Sequence, residues 1–277
     1  MNFLALPAPA KLNLFLHITG QRDDGYHDIQ TVFQIIDYHD YLTFTLNPEN
    51  DIRMITRQLQ IPDHENLAYR AAMALKQASQ CRLGCDITLD KNLPIGGGLG
   101  GGSSNAATTL LALNKLWKLH LSISDLMKIA RPLGADVPVF VGGHSAWAEG
   151  IGDITTPMIL PQRWYLLLTP PCHVSTEFCY QHPKLNRTTP KISPDRYSIG
   201  DGHNDFEPVV KAHYKAVSKT MQWLSQYTHA RLTGTGSTVF GQFESEAKAR
   251  HVAQLATKSM NAIVVRGLHQ SPVHRCL

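Results

Sequence analysis

Six glycines fill the seven positions from Gly96 to Gly102 in PIGGGLGGGSSNAA, residues 94–107. Holding a glycine in one native conformation costs roughly 0.5–1 kcal/mol more than holding an alanine, so the run carries about 3–6 kcal/mol that some contact must offset. A glycine-rich turn that opens a helix points several backbone N–H groups into one concavity, where the helix dipole adds about half a positive charge. Such a cradle suits an anion, and a Cβ there would hold a phosphate away from the backbone. Ser103 and Ser104 follow at once; each can donate to phosphate oxygens or serve as N-cap of the helix. Gly234, Thr235 and Gly236 in RLTGTGS form a second amide-bearing turn, which taken alone is equally an ordinary connection between strands.

Several phosphate-binding designs compete for the first run. A P-loop requires lysine and then serine or threonine after its last glycine, but Gly101 is followed by Gly102 and Ser103, which excludes it. The dinucleotide pattern G-x-G-x-x-G is met by Gly96, Gly98 and Gly101, yet in so glycine-dense a stretch the match is nearly automatic. Protein-kinase motifs V-A-I-K, H-R-D and D-F-G are absent. A flexible linker would not lead straight into a capped amphipathic helix.

The chain has 277 residues, of which 43% are hydrophobic and 17% charged, the balance of a globular protein long enough for two lobes. MNFLALPAPAKLNLFLHI lacks a basic start, and Pro7, Pro9, Lys11 and Asn13 interrupt its apolar character, so it is expected to be a first strand and not a signal peptide. Five sparse cysteines argue against a disulfide framework, and a cytosolic location is expected. Cys172, His173, Cys179 and His182 match no zinc spacing, and no metal site is expected within the protein. The net charge of +4 without a basic stripe suits a small anionic substrate better than nucleic acid, and no membrane partner is expected.

These chemical residues need elements to position them. KLNLFLHI (11–18) alternates as a strand, followed by the turn GQRDDGY; 31–37, 41–46 and 51–55 read as further strands in an antiparallel start. Residues 66–79 read as a helix and 86–90 as a strand, and the glycines open a helix continuing through LLALNKLWKL. Another helix runs from about Ser124 to Leu133 and stops at Gly134, before GADVPVFV turns into an apolar segment. Residues 173–202 are polar and proline-punctuated, a loop-rich insertion beside a site. A helix over 204–227, two strands flanking the 234–236 turn, a helix over 244–259 and a last strand in NAIVVRGL complete an α+β second lobe. On these grounds alone Asp136 reads as a turn cap and Lys11 as an edge lysine on an early strand.

The glycine run before a helix, with PAPAKLNLFLHI upstream and LTGTGSTVFG downstream, resembles the GHMP kinases (galactokinase, homoserine, mevalonate and phosphomevalonate kinases). LGADVPVFV and the tail SPVHR extend the resemblance in order along nearly the whole chain. It implies a two-lobe α+β fold, with a ribosomal-protein-like ATP-binding lobe over 1–153 and a ferredoxin-like substrate-side lobe over 154–277. It also implies ATP with Mg²⁺, and a monomer or weak homodimer. Pro94, Ile95, Gly96, Gly97, Gly98, Leu99, Gly100, Gly101, Gly102, Ser103 and Ser104 are then the phosphate-side contacts, with Asn66 and Lys91 near the adenine. Asp136 takes the position that accepts the proton of the acceptor hydroxyl, and Lys11 pairs with it and orients that hydroxyl. Asn13, Gly234 and Thr235 belong to the acceptor side. Tyr26 and His27 of the GYH turn match cytosine-recognition positions, with a second stacking aromatic at Tyr180, where the family more often carries phenylalanine. The function so implied is phosphorylation of the 2-hydroxyl of a cytidine-diphosphate-linked methylerythritol. A kinase of the same family for a sugar, homoserine or mevalonate gives no reason for the GYH turn. An RNA-binding module and a nicotinamide-dependent dehydrogenase are the rivals from other classes.

Overall fold

The computed structural model describes residues 2–55 and 61–277; the end of the expected strand 51–55 is followed by residues outside that range. A long antiparallel pair, β1 (Phe3–Gln21) and β2 (His27–Asn47), forms the spine. The turn between them closes through Arg22 N–H donating to the Tyr26 carbonyl. Residues 31–37 and 41–46 are therefore one strand and not two. Pro9 pairs with His39 but Lys11 with Ile35, so Ile36, Asp37 and Tyr38 bulge opposite Ala10 alone, and the bulge interrupts the hydrophobic pattern without ending the pairing.

β3 (Ile52–Met54) and β4 (Gly84–Asp90) extend the sheet at one edge, with α1 (Leu67–Ser79) between them. α2 (Gly101–Leu116), α3 (Ile123–Ala130) and α4 (Val137–Gly142) complete the first helical layer. Their apolar faces pack with Leu6, Phe33, Leu42 and Phe44 of the spine into one core, in which Leu75, Leu110 and Leu113 are fully buried. A hairpin, β5 (Ala146–Glu149) and β6 (Ile154–Pro157), lies against β2; its two short strands have no alternating run long enough to be read in advance.

β7 (Trp164–Leu168) opens the second half, and the insertion after it is not loop throughout, since α5 (Thr176–Gln181) lies within it. The helix expected over 204–227 is two helices, α6 (Glu207–His213) and α7 (Lys215–Leu224), parted at Tyr214, whose φ of −117° and ψ of 88° lie outside the helical region. β8 (Ala230–Leu232), β9 (Val239–Phe243), α8 (Glu246–Leu255), β10 (Ala262–Leu268) and α9 (Val273–Cys276) follow. β10 pairs with β7 over Ala262–Arg266, and its last residues, Gly267 and Leu268, pair with Ile36 and Ile35 at the β2 bulge. The two halves thus share one path of strands, in the order β3-β4-β2-β10-β7-β9-β8. This is the mixed α+β, two-part architecture expected. No helix among the described residues is long and apolar enough to cross a membrane.

Candidate active site

Period-two alternation on β1 sends Lys11 and Asn13 to one face and Leu12 and Leu14 into the core. A register shift between Asn13 and Leu16 ends that alternation, so Phe15 joins the same core as Leu14 while Leu16 turns to another. Lys11 Nζ is 3.2 Å from Asp136 Oδ2 and donates to Asn13 Oδ1 at 2.5 Å. The Lys11 side chain is only 4% exposed and its ammonium lies 5.3 Å from the centre of the Phe33 ring, whereas the Asp136 side chain is 30% exposed. A buried ammonium with two oxygen partners is held in one place. Asp136 stands at the N-cap position of α4, but its side chain makes no cap hydrogen bond, so the turn-cap reading gives way to the Lys11 pair.

The glycine loop is tied down from both sides. Lys11 N–H donates to the Leu99 carbonyl, Thr238 N–H to that of Gly97, and Thr233 Oγ1 to that of Gly98. Gly98 and Gly100 have φ of +76° and +71°, and a Cβ on Gly98 would sit 2.2 Å from the Thr233 carbonyl oxygen. Gly100 itself is the N-cap of α2, in the left-handed conformation and with no side-chain cap. Neither Ser103 nor Ser104 therefore caps the helix, because left-handed Gly100 lets it begin two residues before Ser103. The first amides of a 16-residue helix stay free of side-chain caps, as an anion cradle requires.

A cavity of about 520 Å³ runs along this loop, lined by every residue from Pro94 to Ser103 and by Asn66 and Lys91. Ser104 does not line it: the residue is fully buried and its hydroxyl has no hydrogen-bond partner among the described residues. Asn66 caps α1, its Oδ1 accepting from Ala68 N–H, and Lys91 is paired with the buried Asp40 carboxylate at 2.6 Å. Asp40 also accepts from the N–H groups of Asn92 and Leu93, which anchors the segment entering the loop. Its signal, a lone carboxylate inside the strand YHDYL, is legible but carries no motif.

A second cavity, of about 650 Å³, is lined by Lys11, Asn13, Asp136, Tyr26, His27, Tyr180, Gly234 and Thr235. The two cavities meet at Gly98, Gly100, Ser103 and Thr176. Thr235 and Thr176 hydroxyls are 3.1 Å apart, and Asn13 N–H donates to Thr233 Oγ1 at 3.0 Å, so the 233–236 turn from the second half closes on β1. The His27 and Tyr180 ring centres are 5.1 Å apart, Tyr180 packs edge-on to Phe206 at 4.8 Å, and Tyr26 is 60% exposed at the rim. Burial, and secondarily the Arg187 guanidinium, hold the His27 imidazole below its ordinary pKa. Thr176, Arg187 and Phe206 were not legible as site residues, because they lie in segments with no recognisable spacing. Among the described residues no three His, Cys, Asp or Glu side chains gather as a metal site.

A loop and helix start facing a Lys–carboxylate pair is the frame of a phosphoryl-transfer enzyme, and the chain belongs to the GHMP kinases. Residues 66–144 match the N-terminal domain of that family and residues 196–261 its C-terminal domain. The protein is accordingly a phosphotransferase with ATP as cosubstrate. It is 49% identical to the 4-diphosphocytidyl-2-C-methyl-D-erythritol kinase of Tolumonas auensis, over 98% of this chain and 95% of that protein. With the enzyme of the same name from Marinobacter nauticus it shares 48%, over 99% and 97%. A crystal structure of 4-(cytidine 5'-diphospho)-2C-methyl-D-erythritol kinase superposes with a TM-score of 0.84 at 30% identity, covering 95% of this chain and 99% of the other. Homoserine kinase from Cytophaga hutchinsonii, at 15% identity and a TM-score of 0.68 over 98% and 96% of the two chains, shares the fold alone.

Proposed function

We propose that the protein transfers the γ-phosphate of ATP to the 2-hydroxyl of 4-diphosphocytidyl-2-C-methyl-D-erythritol, releasing ADP, in isoprenoid precursor synthesis. One observation carries this reading: the cavity holding Tyr26, His27 and Tyr180 opens onto Lys11 and Asp136 where it meets the cavity of the glycine loop. A base gripped at one end thus delivers a distal hydroxyl to the end of a triphosphate seated on the α2 amides.

In the assigned roles, the Asp136 carboxylate accepts the hydrogen of the acceptor hydroxyl and takes its proton as the bond to phosphorus forms and the bond from phosphorus to the ADP oxygen breaks. Lys11, fixed by Asn13, keeps the carboxylate oriented and offsets charge on the transferring group. Because that transition state is loose, positioning and charge compensation contribute more than base strength. The backbone amides of the glycine loop hold the leaving phosphates, Ser103 supplies a hydroxyl where the cavities join and Thr235 one on the acceptor side, bonded to Thr176 at the junction, and Asn66 and Lys91 border the adenine. Mg²⁺ carried on the triphosphate would be held beside Ser103 and Asp136 and would neutralise charge on the phosphate oxygens. The carboxylates of Asp24 and Asp136 and the hydroxyls of Ser103, Thr176 and Thr235 line the cavity, with no cluster of three metal-binding side chains among the described residues, which suits a cation carried on phosphates more than a protein cage.

The proposal places the enzyme in the cytosol, in keeping with its five free cysteines, and as a monomer or weak homodimer that takes no nucleic acid. The proposed lobe division at 153/154 falls at the end of the turn between β5 and β6, so β6, at the start of the second lobe by that division, still pairs with β5 of the first. A coupled ADP-release assay over a panel of acceptor alcohols tests the reading. The cytidylated methylerythritol is expected to be phosphorylated and galactose, homoserine, mevalonate and methylerythritol phosphate ignored; a better rate with any of these overturns the acceptor assignment.

A further inference from the structure

Arg187 has no counterpart among the residues assigned above, yet it joins the two walls of the base site. Its Nε donates to His27 Nε2 at 3.0 Å, and one terminal nitrogen donates to the carbonyls of Tyr180 at 2.9 Å and His182 at 3.1 Å. The other terminal nitrogen donates to the Leu185 carbonyl at 3.1 Å. With four such bonds from five N–H donors, the guanidinium is committed to the protein and is not a free anion ligand. It lines a smaller cavity of about 370 Å³ behind His27, while His27 lines both that cavity and the larger one that holds Lys11 and Asp136.

An arginine side chain only donates, so the imidazole nitrogen facing it must be the unprotonated one, and a neutral ring then carries its hydrogen on the other nitrogen. The described residues offer no hydrogen bond to His27 Nδ1, which leaves that N–H for a ligand. Cytosine presents ring acceptors, whereas uracil presents a donor at its N3 position. We propose that Arg187 is a specificity-determining positioning residue: by occupying one nitrogen of His27 as a permanent donor it fixes the tautomer that offers N–H to the base. The site then accepts cytosine and rejects uracil. This rests on the proposed cytidylated acceptor, and it assigns to Arg187 a role in choosing the base that is separate from the phosphoryl transfer itself.

The test compares the cytidine- and uridine-diphosphate forms of the same methylerythritol acceptor with wild type, Arg187→Ala, Arg187→Lys and His27→Ala. Wild type is expected to favour cytidine, and Arg187→Ala to lower the cytidine-to-uridine ratio of kcat/KM by about 10- to 100-fold, the range expected when a donor–donor clash is relieved. The KM for ATP should stay near its original value. Arg187→Lys, which keeps a permanent donor, should retain more of the ratio than alanine. A purely structural role would depress both substrates alike and leave the ratio unmoved, which overturns the proposal. If His27→Ala lowers the ratio while Arg187→Ala does not, the cytidylated-acceptor reading stands and only the part assigned to Arg187 fails; a wild type indifferent to the base overturns both. ¹⁵N spectra of the wild type, with the His27 signal assigned by its loss in His27→Ala, give a readout that needs no turnover. A protonated Nδ1 with a bare Nε2 is expected, and a protonated Nε2 overturns the proposal even if Arg187→Ala does not fold.

Discussion

At the scale of single residues, the paired Lys11 and Asp136 bear the most chemical weight. Their separation of 3.2 Å, the near-complete burial of the lysine and the partial exposure of the carboxylate leave one oxygen-rich side of Asp136 for an incoming hydroxyl. Asp136→Asn keeps the shape and removes the charge. It is expected to lower kcat by at least about 10², the low end for a lost acid or base, with little change in ATP affinity. Steady-state kinetics with nucleotide titration checks this, and wild-type turnover would return Asp136 to a structural role. Both residues were legible only through the motifs around them, since neither a lysine on a strand nor an aspartate after a glycine is distinctive alone. Thr176 and Arg187 escaped because the site residues they reach, Thr235 and His27, are 59 and 160 residues distant in sequence, and Asp40, visible as a lone carboxylate, gave no sign of Lys91 51 residues on.

At the scale of elements, the junction of two glycine turns decides the shape of the cleft. Gly98 packs against Thr233 and Gly236 backbone, with Thr233 Oγ1 and Thr238 N–H bonding to the loop carbonyls. Gly98→Ala places a Cβ 2.2 Å from a carbonyl oxygen at a φ of +76°, so either the loop or the 233–236 turn must move. Strain at such a backbone costs on the order of 1–3 kcal/mol. The expected result is a lowered Tm together with at least about tenfold weaker binding of an ATP analogue, since the displaced amides no longer converge. Calorimetry and thermal unfolding measure the two effects; unchanged affinity would remove this loop from the nucleotide site. The glycine run itself announced a tight backbone approach, but its partner turn could be found only in three dimensions.

At the scale of the whole molecule, burial lowers the pKa of several histidines. Desolvation lowers the His17 pKa, aided by His203 and Arg231 and opposed by Asp205. Desolvation likewise lowers His27, with Arg187 beside it, and His274, where hydrogen bonds to the Phe140 and Val141 backbone oppose the shift and His144 adds to it. Because these folded values lie below the unfolded 6.5, the unfolded chain binds more protons as the pH drops through 6.5. Stability is therefore full above that value and is lost as the pH falls towards the folded pKa values. Glu207, raised by burial, acts in the opposite sense nearer the carboxylate range. Thermal unfolding between pH 8 and about 5.5 should show a flat upper region and a decline below about 6.5; a Tm that holds or rises on acidification contradicts it.

The amino-acid order alone determined the local matters: the β1 alternation that puts Lys11 beside Asn13, the glycine loop before α2, and the GYH turn. These depend on a few consecutive residues, whose sterics and periodicity act wherever the chain folds. Tertiary structure alone decided that β2 is one strand with a bulge, that β10 meets it there, and that Arg187 joins His27 to Tyr180. Each of these depends on pairing across a long stretch of chain, where the gain comes from burial and hydrogen bonds between segments with no local signature of their partner.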